Sequence, residues 1–124
     1  QFQSFDMSWL PPTLQELYLA NNRLERLHAS SSGSLKLKLL DISHNQIESL
    51  GGRGLNSLVN LRTLMASHNQ LTSMVGLDHN LLLNTIDLSH NEIVEADPLL
   101  AHSKLYELNL SFNCILAEEP YLST

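Results

Sequence analysis

One eleven-residue pattern recurs five times along this chain of 124 residues. Its first copy reads Leu14-Gln-Glu-Leu17-Tyr-Leu19-Ala-Asn-Asn22-Arg-Leu24, and the later copies keep its apolar positions and its asparagine. The copies begin 22 to 24 residues apart. Such a period indicates an array of one small unit, which buries its apolar residues only by stacking on its neighbours. The copies occupy residues 14–24, 37–47, 61–71, 83–93 and 105–115.

The alternation of apolar residues inside each copy predicts a short β-strand. In the step Leu17-Tyr18-Leu19 the two leucines point to one face of the strand and the tyrosine points to the other. Stacked units would place these strands roughly 4.8 Å apart in a parallel sheet with the leucines inside. Equivalent positions of successive units would then stand in columns on the solvent face.

The solvent-facing columns are the predicted recognition surface. They mix aromatic, charged and flexible side chains, and tyrosine, methionine and arginine are favoured at protein interfaces. We expect these side chains to bind a partner and to take no part in folding, because the leucines between them supply the core. The predicted partner-binding residues are Tyr18, Lys38, Asp41, Arg62, Met65, Asp87, Tyr106 and Asn109.

The pattern L-x-x-L-x-L-x-x-N-x-L resembles the signature of the leucine-rich-repeat family over residues 14–115. The long unit that begins at Leu37 continues Leu55-x-x-Leu58-x-x-Leu61, which resembles the typical repeats of Toll-like receptors and small proteoglycans. The resemblance implies an α/β fold class: a solenoid with a concave parallel β-sheet and a mostly irregular or short-helical convex side.

The resemblance also implies a structural role for the repeated asparagine. A buried amide needs hydrogen-bond partners, and in such a ladder each amide would bond the loop backbone of its own turn and of the next. The ladder residues would be Asn22, Asn45, Asn69, Asn91 and Asn113.

The chain is predicted to be a single repeat array over residues 1–124, forming a segment of a longer array. Its start resembles the end of a unit, because Phe2-x-x-Phe5 matches Leu24-x-x-Leu27, and no cysteine cluster caps the apolar core. The predicted divisions are the tail of a preceding repeat at residues 1–13 and repeats at 14–36, 37–60, 61–82, 83–104 and 105–124.

Three histidines should form a column one strand spacing apart: His44, His68 and His90. Such a column could bind a metal or sense pH. However, Ser-His-Asn is a common filler of this turn in the family, and no carboxylate or thiol is spaced to complete a tetrahedral site. We therefore predict no metal site and no cofactor. The repeated Ser-His pair, as in Ser43-His44, is interpreted as consensus, so we predict no catalytic residues and no enzyme.

Charge and hydropathy restrict the partners. The net charge is −6, and residues 73–124 carry eight acidic side chains against one basic side chain, Lys104. An acidic surface disfavours nucleic acid and could steer a basic partner. No run of 18 apolar residues occurs, so this segment is predicted not to insert into a membrane. A protein ligand or co-receptor is the expected partner.

Two residues bear on the compartment. Cys114 is the only cysteine, so it cannot form an internal disulfide, but it could pair with another segment or chain. Asn109-Leu110-Ser111 is the only N-x-S/T triplet, and Asn109 could carry a glycan.

Protein recognition through the concave face is the favoured function. The resemblance implies an extracellular or cell-surface location, with a role in innate immunity or adhesion. Two alternatives stay open: an intracellular leucine-rich-repeat scaffold or regulatory subunit in the cytoplasm, and a structural spacer between other domains.

Overall fold

The computed structural model describes residues 4–28, 36–51, 55–95 and 102–115 of the chain. Within these ranges the regular elements are seven three-residue strands and one 3₁₀ turn at Met7–Trp9. The strands are β1 (Ser4–Asp6), β2 (Glu16–Tyr18), β3 (Arg26–His28), β4 (Leu39–Asp41), β5 (Thr63–Met65), β6 (Thr85–Asp87) and β7 (Glu107–Asn109).

The main sheet contains one strand from each of the five repeated patterns. Its strands are all parallel and follow the order β2-β4-β5-β6-β7. Each unit therefore adds one strand beside the strand of the preceding unit, which is the solenoid predicted from the sequence. The segments that return from one strand to the next are irregular in the described residues, and this confirms the predicted fold class.

The register of the sheet confirms the predicted columns. The middle residue of each strand aligns with the middle residue of its neighbour, and the residue after it forms the next column. The inner column holds core leucines and isoleucine, whereas the next column faces solvent. These columns are Leu17, Leu40, Leu64, Ile86 and Leu108 on the inside, and Tyr18, Asp41, Met65, Asp87 and Asn109 on the outside.

The core is one continuous apolar cluster inside the solenoid. Leu40, Leu64 and Ile86 are fully buried in the three central strands. Leucines of the return segments, such as Leu58 and Leu77, close the cluster from the opposite side. Burial weakens towards the last described strand, where Leu108 is 37% exposed. The central units are thus held by neighbours on both sides.

A second, two-stranded parallel sheet forms near the start of the chain. It pairs β1 with β3 and places Phe5 opposite Leu27. This register pairs the two residues that the sequence pattern matched, and the division of the chain into a repeat tail and five repeats stays a prediction. Phe2 lies outside the described residues, as do residues 116–124 of the last predicted repeat.

The asparagine ladder is present in the described turns. The amide of Asn69 donates to the carbonyl oxygens of Ile42, Ala66 and Ser67, and its Oδ1 accepts from the N–H of Ile47 at 3.0 Å. Ile42 and Ile47 belong to the preceding turn, so the prediction that the second partner lies in the next turn is wrong in direction. The same arrangement recurs at Asn45, Asn91 and Asn113.

The first member of the ladder differs from the others. The amide of Asn22 donates to the carbonyl oxygens of Leu19 and Ala20 in its own turn. Its Oδ1 accepts no hydrogen bond from a described residue, and the side chain is exposed. The five asparagines therefore match the same position of the sequence pattern, but Asn22 makes fewer hydrogen bonds than the other four.

Candidate functional site

Five of the eight predicted partner-binding residues form the outer column of the main sheet, on the face that we call the concave face, and the other three directly precede its strands. The five are Tyr18, Asp41, Met65, Asp87 and Asn109, and the three are Lys38, Arg62 and Tyr106. Tyr18 is 60% exposed and Tyr106 is 89% exposed, although tyrosine carries a large apolar ring. Lys38 and Arg62 are also exposed, and neither side chain is bonded to another described residue. The three remaining positions of the central strands, Asp41, Met65 and Asp87, are half-buried by their neighbours.

Tyr18 is oriented by a neighbouring carboxylate. Its hydroxyl donates a hydrogen bond to Oε1 of Glu16 at 3.1 Å. This bond favours the protonated phenol and raises the pKa of Tyr18, and the negative charges of Glu16 and Asp41 act in the same direction. The ring therefore stays neutral and serves as a hydrogen-bonding and apolar contact at the N-terminal end of the face.

Two acids of the central column contribute to folding. Oδ1 of Asp87 accepts from the backbone N–H of Ser89 at 3.0 Å and from its hydroxyl at 2.7 Å. Asp41 accepts from the N–H of Ser43 at 3.0 Å in the same way. Short polar side chains commonly close a turn through such bonds. The expectation that concave residues take no part in folding is therefore wrong for Asp41 and Asp87, and also for Asn109, whose Oδ1 accepts from Ser111 in the same way.

The histidine column is a continuous stack of rings. The centroids of His44 and His68 lie 4.2 Å apart, and those of His68 and His90 lie 4.1 Å apart. Phe112 extends the stack at 4.3 Å from His90, with neighbouring planes within 11° of each other throughout. The predicted histidine column is confirmed, and Phe112, which occupies the equivalent position of the last repeated pattern, continues it.

An unusual backbone conformation produces this stack. His44, His68, His90 and Phe112 all have φ between 55° and 58°, and Asn21 has φ of 62° at the equivalent position. Bonds between turns hold this left-handed conformation, for example from the N–H of His68 to the carbonyl of Ser89 at 3.1 Å. Asparagine and histidine are enriched in left-handed backbone, so the sequence contained a signal for this turn.

Stacking changes the ionisation of the central ring. Burial against its neighbours lowers the pKa of His68, and the charges that His90 and His44 would carry lower it further. Asp87 acts in the opposite direction. Protonation of adjacent rings is mutually unfavourable. No group of three or more metal-ligating side chains occurs among the described residues.

The Ser-His pairs do not form a nucleophile and base in the described turns. The hydroxyl of Ser89 donates to Asp87 and the serine is 6% exposed, whereas the ring of His90 is stacked at the surface. The serine is thus committed to the turn and the histidine to the stack. These bonds favour the interpretation of the pair as structural consensus.

A second polar column on the return side was not predicted. Asn80 and His102 occupy the position held by Leu58, at intervals of 22 residues. The amide of Asn80 donates to the carbonyls of Leu55 and Leu58, each at 2.9 Å, and Nε2 of His102 lies 2.8 Å from the carbonyl of Leu77. Each polar side chain therefore bonds the backbone of the turn before it. The 22-residue spacing was the signal that could have revealed this column.

Two further features concern the exterior. Cys114 is a free thiol and is exposed. In the described part of the chain, no helix is both long enough and apolar enough to cross a membrane.

A family model described as "Leucine rich repeat" matches residues 12–71. Lumican from Coturnix japonica is 33% identical over 72% of this chain and 26% of its own length. Opticin from Canis lupus familiaris is 34% identical over 68% of this chain and 25% of its own length. The chain thus spans about a quarter of the length of these two relatives, which are small leucine-rich proteoglycans.

A solved structure supports the same assignment. Internalin C2 from Listeria monocytogenes superposes with a TM-score of 0.66 and 31% identity, over 79% of this chain and 42% of the internalin chain. The register of the parallel sheet, the asparagine ladder and these similarities agree with one another. The chain therefore belongs to the leucine-rich-repeat family and resembles the small leucine-rich proteoglycans in sequence.

Proposed function

We propose that this chain binds a protein in the extracellular space through its concave face. The observation that carries the proposal is the exposure of Tyr18 in β2, and of Arg62 and Tyr106 directly before β5 and β7, on a sheet whose three central strands bury their other face in the core. Two large tyrosine rings left in water on a rigid surface are groups that a partner could desolvate. Tyrosine and arginine dominate the binding energy of many protein interfaces.

The charges on this face favour a partner of mixed polarity. Lys38 and Arg62 share the N-terminal half of the sheet with Glu16 and Asp41, so the charges there offset one another, whereas Asp87 and Glu107 make the C-terminal half acidic. A partner with basic groups opposite the C-terminal half and groups of both signs opposite the N-terminal half would complement this arrangement and dock in one orientation. The same order of charges disfavours nucleic acid, whose phosphates would meet the acidic half.

The similarity to lumican and opticin supports a role in the extracellular matrix or in adhesion. An innate-immune receptor is a narrower form of this proposal. An intracellular scaffold or regulatory subunit is the alternative favoured by the two 22-residue units and the lack of paired cysteines. A signal peptide and cysteine caps in the flanking sequence would support the extracellular role, and attached cytosolic domains would support the scaffold.

Position-specific photo-crosslinking tests which surface binds. A photoreactive amino acid is placed at Tyr106 or Met65 on the concave face and, as a matched control, at Val75, which is exposed on the segment between β5 and β6. Each variant is irradiated in the same extracellular matrix extract. We expect discrete adducts from the concave positions and none of these adducts from Val75.

Binding of the captured protein is then measured with Arg62→Ala and Tyr106→Ala, each checked for folding by circular dichroism. A loss of about 2 kcal/mol, or roughly 30-fold in Kd, is expected for a hot-spot residue. Adducts from Val75 but not from the concave positions, together with unchanged affinity of both alanine variants, would place binding elsewhere. A concave face that captures nothing would favour the spacer.

A further inference from the structure

The triplet Asn109-Leu110-Ser111 ends the last described strand of the main sheet. It is the only N-x-S/T sequence in the chain, and β7 ends at Asn109. The side chains of Asn109 and Ser111 are both exposed, on the same face as Asp87, the cross-strand neighbour of Asn109. The triplet is therefore displayed at the surface rather than buried with the ladder asparagines.

The contacts of Asn109 leave its amide nitrogen available. Its Oδ1 accepts from the N–H of Ser111 at 3.0 Å and from the hydroxyl of Ser111 at 2.5 Å. Its Nδ2 donates to no described residue. A substituent on Nδ2 would thus remove no hydrogen bond of the described fold, because the oxygen that closes the turn is retained.

Other asparagines in the same turn lack this freedom. The Nδ2 atom of Asn113 donates to the carbonyls of Leu88, Leu110 and Ser111. A substituent there would break the ladder and would have to enter the core. The structure therefore separates an asparagine with a free amide nitrogen, Asn109, from a neighbour four residues away whose amide is fully used.

We propose that Asn109 carries an N-linked oligosaccharide when the chain passes through a eukaryotic secretory pathway. The donor is an oligosaccharide attached to a lipid diphosphate. A bond forms between Nδ2 of Asn109 and the anomeric carbon of the first sugar, and the bond between that carbon and the diphosphate oxygen breaks. Nδ2 loses one proton, and the lipid diphosphate leaves with the electron pair. No oxidation or reduction is involved.

The glycan would stand on the concave face at its C-terminal end. It removes Asn109 from the predicted partner-binding residues and leaves the remaining seven. The glycan and the binding of a partner by the concave face are independent proposals. Protein made in bacteria carries no such glycan, so it tests partner binding alone.

The experiment secretes the chain from eukaryotic cells behind a cleavable signal peptide. The product is treated with peptide N-glycosidase in water labelled with heavy oxygen, and peptides are analysed by mass spectrometry. We expect Asn109 to be converted to labelled aspartate, with one loss of glycan mass in the intact protein. Ser111→Thr should keep the modification, whereas Ser111→Ala and Asn109→Gln should abolish it.

A single substitution supplies a matched control. Gln70→Asn, made together with Asn109→Gln, creates a new triplet with Leu71 and Thr72 at an exposed position. The new triplet has the same middle residue type as the native one. Modification of this variant, combined with an unmodified native chain secreted from the same cells, would overturn the assignment. Modification of the native chain that persists in Asn109→Gln would also overturn it.

Discussion

Replacing Asn69 with alanine tests whether the ladder stabilises the fold. The side chain is 7% exposed, and its four hydrogen bonds connect two turns. The three carbonyls that it binds each keep another donor: the amides of Asn45 and Asn91 and the N–H of His44. Only the N–H of Ile47 loses its sole partner among the described residues.

The expected loss follows from that one orphaned donor. A buried polar group left without a partner costs about 1–3 kcal/mol, and a hydrogen bond between satisfied groups contributes less. We expect Asn69→Ala to lower the free energy of unfolding by about 1–3 kcal/mol, with the orphaned Ile47 N–H supplying most of the loss. The structure thus attributes most of the lost stability to the unpaired N–H of Ile47, and not equally to the four hydrogen bonds of Asn69.

Urea denaturation followed by circular dichroism measures the change, and Asn22→Ala is the matched control. The two residues share a repeat position, but Oδ1 of Asn22 binds no described backbone N–H. Asn22→Ala should therefore cost less than about 1 kcal/mol, since it orphans no donor. If Asn69→Ala matches the parent within error, or if the two variants lose equal stability, the reasoning from the Ile47 N–H is refuted.

Three further perturbations address the core, a glycine and the histidine stack. Leu64→Ala should lower the free energy of unfolding by about 2–5 kcal/mol, because Leu64 is fully buried and the change leaves a cavity; the same urea assay measures it, and a loss below 1 kcal/mol would contradict continuous packing. Gly76→Ala should lower the free energy of unfolding by about 2–4 kcal/mol, because φ is 116° and the new Cβ would lie 2.4 Å from the Leu50 carbonyl oxygen. The control is Gly51→Ala, whose Cβ would meet only the Ser49 hydroxyl at 3.4 Å and which should change stability little. The pKa of His68 is lowered in the folded state, so the unfolded chain binds the proton more readily, and stability present above the ordinary histidine pKa of 6.5 is lost as pH falls below it. We expect His68→Asn to flatten this loss in unfolding curves at several pH values, and His79→Asn, outside the stack, to preserve it; an unchanged slope in His68→Asn would contradict the effect of stacking.

The strand columns could be predicted from the sequence because they follow from two periodicities. Alternation within Leu17-Tyr18-Leu19 sets which side chain faces solvent, and the repeat spacing sets which residues become neighbours. The alignment of Tyr18 with Asp41 and the pairing of Phe5 with Leu27 were both obtained in this way. Neither required knowledge of side-chain rotamers.

Other features depend on chemistry that periodicity does not encode. The pattern marks Asp87 as exposed, but the bond from its carboxylate to Ser89 depends on the turn geometry. Asn80 replaces a core leucine, and the carbonyls of Leu55 and Leu58 accept its two N–H groups, whereas its buried Oδ1 has no partner among the described residues. The repeated Asp-x-Ser at strand ends and the 22-residue column were readable signals. These signals could be interpreted only once the structure gave the positions of the backbone carbonyl groups.

Some side chains of the concave face therefore both stabilise the fold and are exposed to a partner, and this determines how the function of the face can be tested. Asp87→Ala would remove both a surface charge and the acceptor that closes the turn at Ser89, so a loss of binding would have two explanations. Asn109 closes the equivalent turn at Ser111 with an amide oxygen, which shows that a neutral acceptor has the required geometry. Asp87→Asn consequently removes the charge while keeping the turn. An effect of this variant on partner affinity, with stability unchanged, would isolate the electrostatic contribution of the face from its contribution to the fold.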